Sequence, residues 1–102
     1  MDEEHVMTVA ASAPQLVFFY SPRSGQSRRA DGYLAQVLQR RHNHETFTLV
    51  RVDVDQRADL AERFGITTTP ALLVIADGTV QARLSDLRGC RAITEMLRPW
   101  LK

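Results

Sequence analysis

Two serines three residues apart, Ser24 and Ser27, bracket Gly25 and Gln26 in a stretch that also carries Arg23, Arg28 and Arg29. As a nucleophile, either hydroxyl would need a base within hydrogen-bond reach. The histidines are His5, His42 and His44, in the N-terminal segment and well downstream. The spacing instead predicts a helix cap, with one serine oxygen accepting a backbone N–H. The arginines suggest a second use. A helix start has unpaired N–H groups and a positive dipole end, and guanidinium groups add bidentate donors, so a phosphate, a sulfate or a partner's carboxylate would fit.

The remaining chemistry-bearing groups are weaker. His42 and His44 stand at i and i+2 with Glu45 the adjacent acid and no cysteine near, which falls short of a metal-ligand set. Asp53 and Asp55 alternate and would share one face of a strand. The simpler reading pairs Asp53 with Arg51 or a neighbouring basic residue and lets Asp55 cap the next helix. Cys90 is the single cysteine, flanked at short range by Arg88 and Arg91. A lone cysteine excludes an intramolecular disulfide and argues against a disulfide-stabilised secreted scaffold.

Elements must position these groups. Leu16-Val17-Phe18-Phe19-Tyr20 reads as a strand buried on both faces. Beyond the turn residues Ser21–Ser27, apolar side chains at Ala30, Tyr33, Leu34, Val37 and Leu38 share one face of a helix expected over Ser27–Arg41. The serine pair therefore falls between a strand's C-terminal end and a helix N-terminus, where open α/β sheets place binding and chemistry. A second strand is expected over Phe47–Val54, then a short helix over Arg57–Phe64, stopped by Gly65. Ala71–Ala76 reads as a third strand, Asp77-Gly78 as a hairpin turn and Thr79–Leu84 as its return. The last helix begins near Cys90 and turns Ile93, Met96, Leu97, Trp100 and Leu101 inward, with Pro99 interrupting its final turn. Val6–Val9 could add an edge strand. The order implies an α/β domain with a mixed sheet of four or five strands and helices on both faces.

Composition narrows the function. At 102 residues the chain is long enough for one core: residues 15–102 are expected to form the domain, and 1–14 a tail with the possible edge strand. Net charge is +1, so bulk electrostatics select neither nucleic acid nor membrane. The start, Met1-Asp2-Glu3-Glu4-His5, is acidic and lacks the pattern of a secretory signal, which makes cytoplasmic residence the expectation. No cofactor and no bound metal are expected, and the oligomeric state is left open.

Several matches in register make the chain resemble the thioredoxins over roughly Gln15–Lys102. The strand, glycine-containing turn and helix around Ser24-Gly25-Gln26-Ser27 are similar to that family's active-site segment, in which two cysteines flank two residues. Leu49–Asp55 resembles its second core strand, and Leu60–Ile66 the helix and glycine that follow. Thr69-Pro70-Ala71-Leu72-Leu73-Val74 resembles the cis-proline segment, Asp77-Gly78 the hairpin turn, and Gly89 the glycine before the last helix. The resemblance implies a thioredoxin-like fold with a cis bond at Pro70. It also implies that Thr69 offers its N–H and C=O to an extended peptide, a form of strand addition.

The departures from the family concern its chemistry. Disulfide exchange needs a thiolate to attack sulfur and a second thiol to resolve the product, and Ser24 and Ser27 can do neither. Phe18 stands where thioredoxins commonly carry a buried aspartate, Arg23 where they carry a tryptophan, and Gly32 where the helix often has a proline. The expectation is a thioredoxin-like domain without its redox dithiol. It would bind a peptide or protein partner across Arg23, Ser24, Gly25, Gln26, Ser27, Arg28, Thr69, Pro70 and Gly89. Two alternatives stand beside it: a thiol-disulfide oxidoreductase whose two cysteines have been replaced, and a small-anion-binding module at the arginine-flanked helix end.

Overall fold

The sheet is built outward from β1, Gln15–Tyr20, whose side chains alternate between two cores. A computed structural model describes residues 13–102, so the strand expected over Val6–Val9 lies outside the described residues. On one side β1 pairs in parallel with β2, Thr48–Asp53, and on the other it pairs antiparallel with β3, Ala71–Ala76. β3 continues antiparallel to β4, Thr79–Leu84, giving the order β2-β1-β3-β4. Asp77 and Gly78 join them with φ of 56° and 75°, the two positive values that a type I′ hairpin turn requires.

Helices α1, Gly25–Gln39, and α3, Cys90–Leu97, cover one face of this sheet. Leu16, Phe18, Leu72 and Val74 meet Ala30, Leu34, Val37, Ile93 and Leu97 there, all buried. The short helix α2, Ala58–Arg63, contributes Leu60 to the opposite face, against Val17, Phe19, Val52, Leu73 and Ile75. The runs that lack alternation in β1 and β3 follow directly, since a strand covered on both sides needs apolar side chains at every position.

Element ends differ from the pattern-based expectation for local reasons. α1 begins at Gly25 rather than Ser27, because Ser24 and not a later residue supplies the cap. It ends at Gln39, and a 3₁₀ segment, Arg40–Glu45, follows with Arg41 and His42 at φ of 51° and 58°. α2 ends in the hydrogen-bond pattern that a left-handed glycine permits. Gly65, at φ 69°, donates to the Glu62 carbonyl at 3.1 Å, and Ile66 donates to the Ala61 carbonyl at 2.8 Å. Beyond α3, Arg98–Trp100 tightens into a 3₁₀ turn at Pro99, a common way for a helix to end. Met96, Trp100 and Leu101 are therefore only half-buried against the core rather than inside it.

Two expected polar pairings are replaced. Asp55 does not cap α2, whose first helical turn follows Arg57 without a side-chain cap; it pairs instead with Arg23 at 3.1 Å. Arg51 bridges to Asp31 on α1 at 3.0 Å, while Asp53 Oδ1 accepts the Asp55 amide at 2.9 Å.

Candidate functional site

Where β1 ends, three hydrogen bonds shape the turn into α1. The Ser24 amide donates to the Ser21 carbonyl at 3.1 Å. Ser24 Oγ accepts the Ser27 amide at 3.1 Å, the cap that the serine spacing predicts. Ser27 Oγ in turn accepts the Ser21 amide at 3.1 Å, and Ser27 is only 2% exposed. Both hydroxyls thus hold the backbone of the loop. Among the described residues no histidine lies near them, since His42 and His44 follow the far end of α1. A helix of that length, rising about 1.5 Å per residue, is about 22 Å long.

Beside this tip the chain passes through Thr69–Pro70, whose peptide bond is cis, with Pro70 buried. An open groove of about 550 Å³ runs between the two. Gln26, Arg29 and Tyr33 of α1 form one wall, Thr68–Pro70 the floor, and Ser85–Arg88 the other wall. Gln26, Arg29 and Tyr33 are spaced i, i+3 and i+7, so one helical face presents all three. Arg88 is steered by Asp86, which accepts from its guanidinium at 2.7 and 3.0 Å. That guanidinium holds the Asp86 carboxyl below the usual carboxylate range, as hydrogen bonding to a charged form does.

The residues singled out from the sequence divide accordingly. Gln26, Thr69 and Pro70 line the groove, while Ser24 and Gly25 form the helix tip beside it. Arg23 is turned aside to Asp55. Arg28 lies over a separate hollow of about 240 Å³ with Pro22, Asp31 and Arg51, floored by the stacked rings of Phe18 and Tyr20. Gly89 is the residue before α3, and the groove wall there is made by its predecessors Ser85–Arg88. Sequence reasoning does not single out Tyr33, Asp86, Leu87 and Arg88 as groove residues. For Tyr33 the helical spacing from Gln26 is an available signal; for Leu87, an apolar residue in a polar loop, burial decides.

Cys90 is far from the serines. Its Sγ lies 3.1 Å from Gln36 Oε1 and 3.7 Å from the Tyr33 carbonyl oxygen. Gln36 is on α1 well beyond Ser27, about 13 Å further along the helix axis.

The thioredoxin family profile matches residues 1–99 of the 102. The chain belongs to the thioredoxin family. No curated protein matches its sequence. Among solved structures, a mutant thioredoxin from Halobacterium salinarum is similar with a TM-score of 0.81 at 17% identity, covering 100% of this chain and 88% of that one. The oxidised thioredoxin of Plasmodium falciparum gives 0.80 at 16% identity, covering 99% and 94%. Mitochondrial thioredoxin 3 of Saccharomyces cerevisiae, also in its oxidized form, gives 0.72 at 17% identity, covering 86% and 81%. At these identities the likeness is one of fold. This chain has one cysteine, at position 90, and hydroxyls at positions 24 and 27.

Proposed function

We propose that this thioredoxin-like domain binds an extended peptide segment of a partner protein and carries out no dithiol exchange. The observation that carries this reading is the commitment of both serine oxygens to the loop backbone, next to an open groove. The groove has Thr68–Pro70 as its floor and Arg29, Tyr33 and Leu87 on its walls. It thus combines apolar surface with fixed polar groups, the composition of binding sites. By the family resemblance, Thr69 supplies backbone N–H and C=O to the bound strand. Arg29, which has no carboxylate partner among the described residues, and Arg88 both face the groove. Arg88 is already held by Asp86, so it is Arg29 that favours an acidic residue in that strand.

The test is selection of binders from a random peptide library on the immobilised chain, with an insulin disulfide-reduction assay alongside. An enriched motif whose binding falls at least about tenfold on Arg29→Glu supports the proposal. Disulfide turnover above background, or enriched peptides indifferent to Arg29→Glu and Gln26→Trp, would overturn it.

A second reading is favoured by one feature of the helix tip. A Cβ added at Gly25 would lie 3.5 Å from Arg29 Nη1 and 3.7 Å from Arg28 Nη2, so both guanidinium groups fold back over the first turn of α1. Together with first-turn amides that the helix ladder leaves unused, they suit a small anion. Phosphate and sulfate should then raise the melting temperature by mass action, and Arg28→Ala should abolish that rise. Equal melting with and without the anions disposes of it.

A further inference from the structure

The connection between α1 and β2 holds a cluster that neither reading uses. His42, His44 and Glu45 are exposed, and one ligand atom from each lies within 4.8 Å of the others. We propose that these three side chains form a binding site for a borderline divalent cation of the zinc type.

The backbone explains why spacing understates this cluster. Arg41 and His42 both take left-handed conformations, which reverse the chain and bring the His42 ring to 5.7 Å from that of His44. Between them, buried Asn43 anchors the turn from below. Its Nδ2 donates to the Arg40 carbonyl at 2.7 Å, its Oδ1 accepts the Lys102 amide at 2.7 Å, and its carbonyl accepts the Thr46 amide at 2.9 Å. With Asn43 pinned inward, the residues on either side of it face solvent together.

Two imidazole nitrogens and one carboxylate oxygen suit zinc, nickel or copper, whereas magnesium and calcium select all-oxygen sets. Donors around tetrahedral zinc at about 2.0–2.1 Å stand about 3.4 Å apart. The cluster therefore has to contract by at most about 1.4 Å to reach that geometry, a change that exposed side chains make by rotation. The competitor is Lys102, whose Nζ is 3.5 Å from Glu45 Oε1 and 3.4 Å from the His42 carbonyl oxygen. A bound cation displaces that ammonium from the carboxylate. Lys102 thus sets the affinity from outside the ligand set.

The experiment is calorimetric titration of the full chain with zinc chloride, with magnesium chloride as control. One zinc ion per chain is expected, weakened at least about tenfold by His42→Asn and by His44→Gln, and tightened severalfold by Lys102→Ala. Asparagine tolerates the left-handed backbone at position 42, so the melting temperature of His42→Asn in zinc-free buffer should match the parent and exclude a folding defect. Absence of zinc uptake by the parent chain overturns the proposal. So does uptake undiminished in His42→Asn, or magnesium bound as tightly as zinc.

Discussion

Ser24 and Ser27 both turn their hydroxyls to the backbone of the loop. Replacing Ser24 by alanine removes the cap on the Ser27 amide. That should lower stability by about 1 kcal/mol, several degrees in melting temperature for a domain of this size. Ser27→Ala strands the Ser21 amide in a partly buried place and should cost about 1–3 kcal/mol. Thermal melts of the two variants decide both figures. Asp86 carries a different prediction. Its carboxyl titrates below the usual range because Arg88 donates to it, so its folded-state pKa lies under its unfolded one. The stabilisation it brings is present above the unfolded value and fades as pH falls through the folded one. Its exposure to solvent makes that stabilisation small, so the check is an NMR titration of the Asp86 side chain. Its midpoint should move upward in Arg88→Gln. At neutral pH Asp86 stays charged and keeps Arg88 on the groove wall.

At the level of elements, two glycines with equally open surroundings separate backbone from packing. A Cβ at either Gly65 or Gly32 would meet nothing within 4 Å, yet Gly65 sits at φ 69° whereas Gly32 lies inside α1. Gly65→Ala should therefore destabilise by about 1–2 kcal/mol through the left-handed backbone alone. Gly32→Ala should stabilise by about 0.5–1 kcal/mol through helix propensity. Denaturant midpoints shifting in opposite directions confirm the pair; a shared direction refutes it. The strands, the Asp77-Gly78 hairpin and the Gly65 stop are legible because each rests on a local rule about period or φ. Local pattern misplaces the cap of α2 because Asp55 has two suitors, and the ion pair to Arg23 in the helix-tip loop prevails over the local cap. Arg51 likewise leaves its sequence neighbour for Asp31, remote in the chain but adjacent once α1 packs on the sheet.

For the molecule as a whole, a thioredoxin-like scaffold presents a helix tip that carries serines, and the chain has one cysteine. Ser24→Cys together with Ser27→Cys should give a chain that closes an intramolecular disulfide under mild oxidant, leaving Cys90 as the single titratable thiol. Ser27→Cys alone should retain two free thiols. Cys90 lies beside Gln36, and a separation of about 13 Å along α1 is beyond the reach of a disulfide. Thiol titration after oxidation reads both results. Low turnover of the introduced pair in insulin reduction is also expected. Phe18, packed against Tyr20, offers no group to carry a proton. Among the described residues no helix is long and apolar enough to cross a membrane.

Residue order alone determined the strand and helix sequence, the two-sided burial of β1, the absence of a second cysteine and the family. All of these depend on periodicity, on turn residues with special φ, or on the bare presence of an atom type. Tertiary packing decided which groups meet: Tyr33 and Arg29 opposite Leu87 and Arg88, Arg28 over a separate hollow, and His42 folded back onto His44. Those outcomes turn on how α1 rotates against the sheet and on a reversed backbone held by one buried asparagine. Distances of that kind are set by contacts between residues remote in the chain, and no local pattern encodes them.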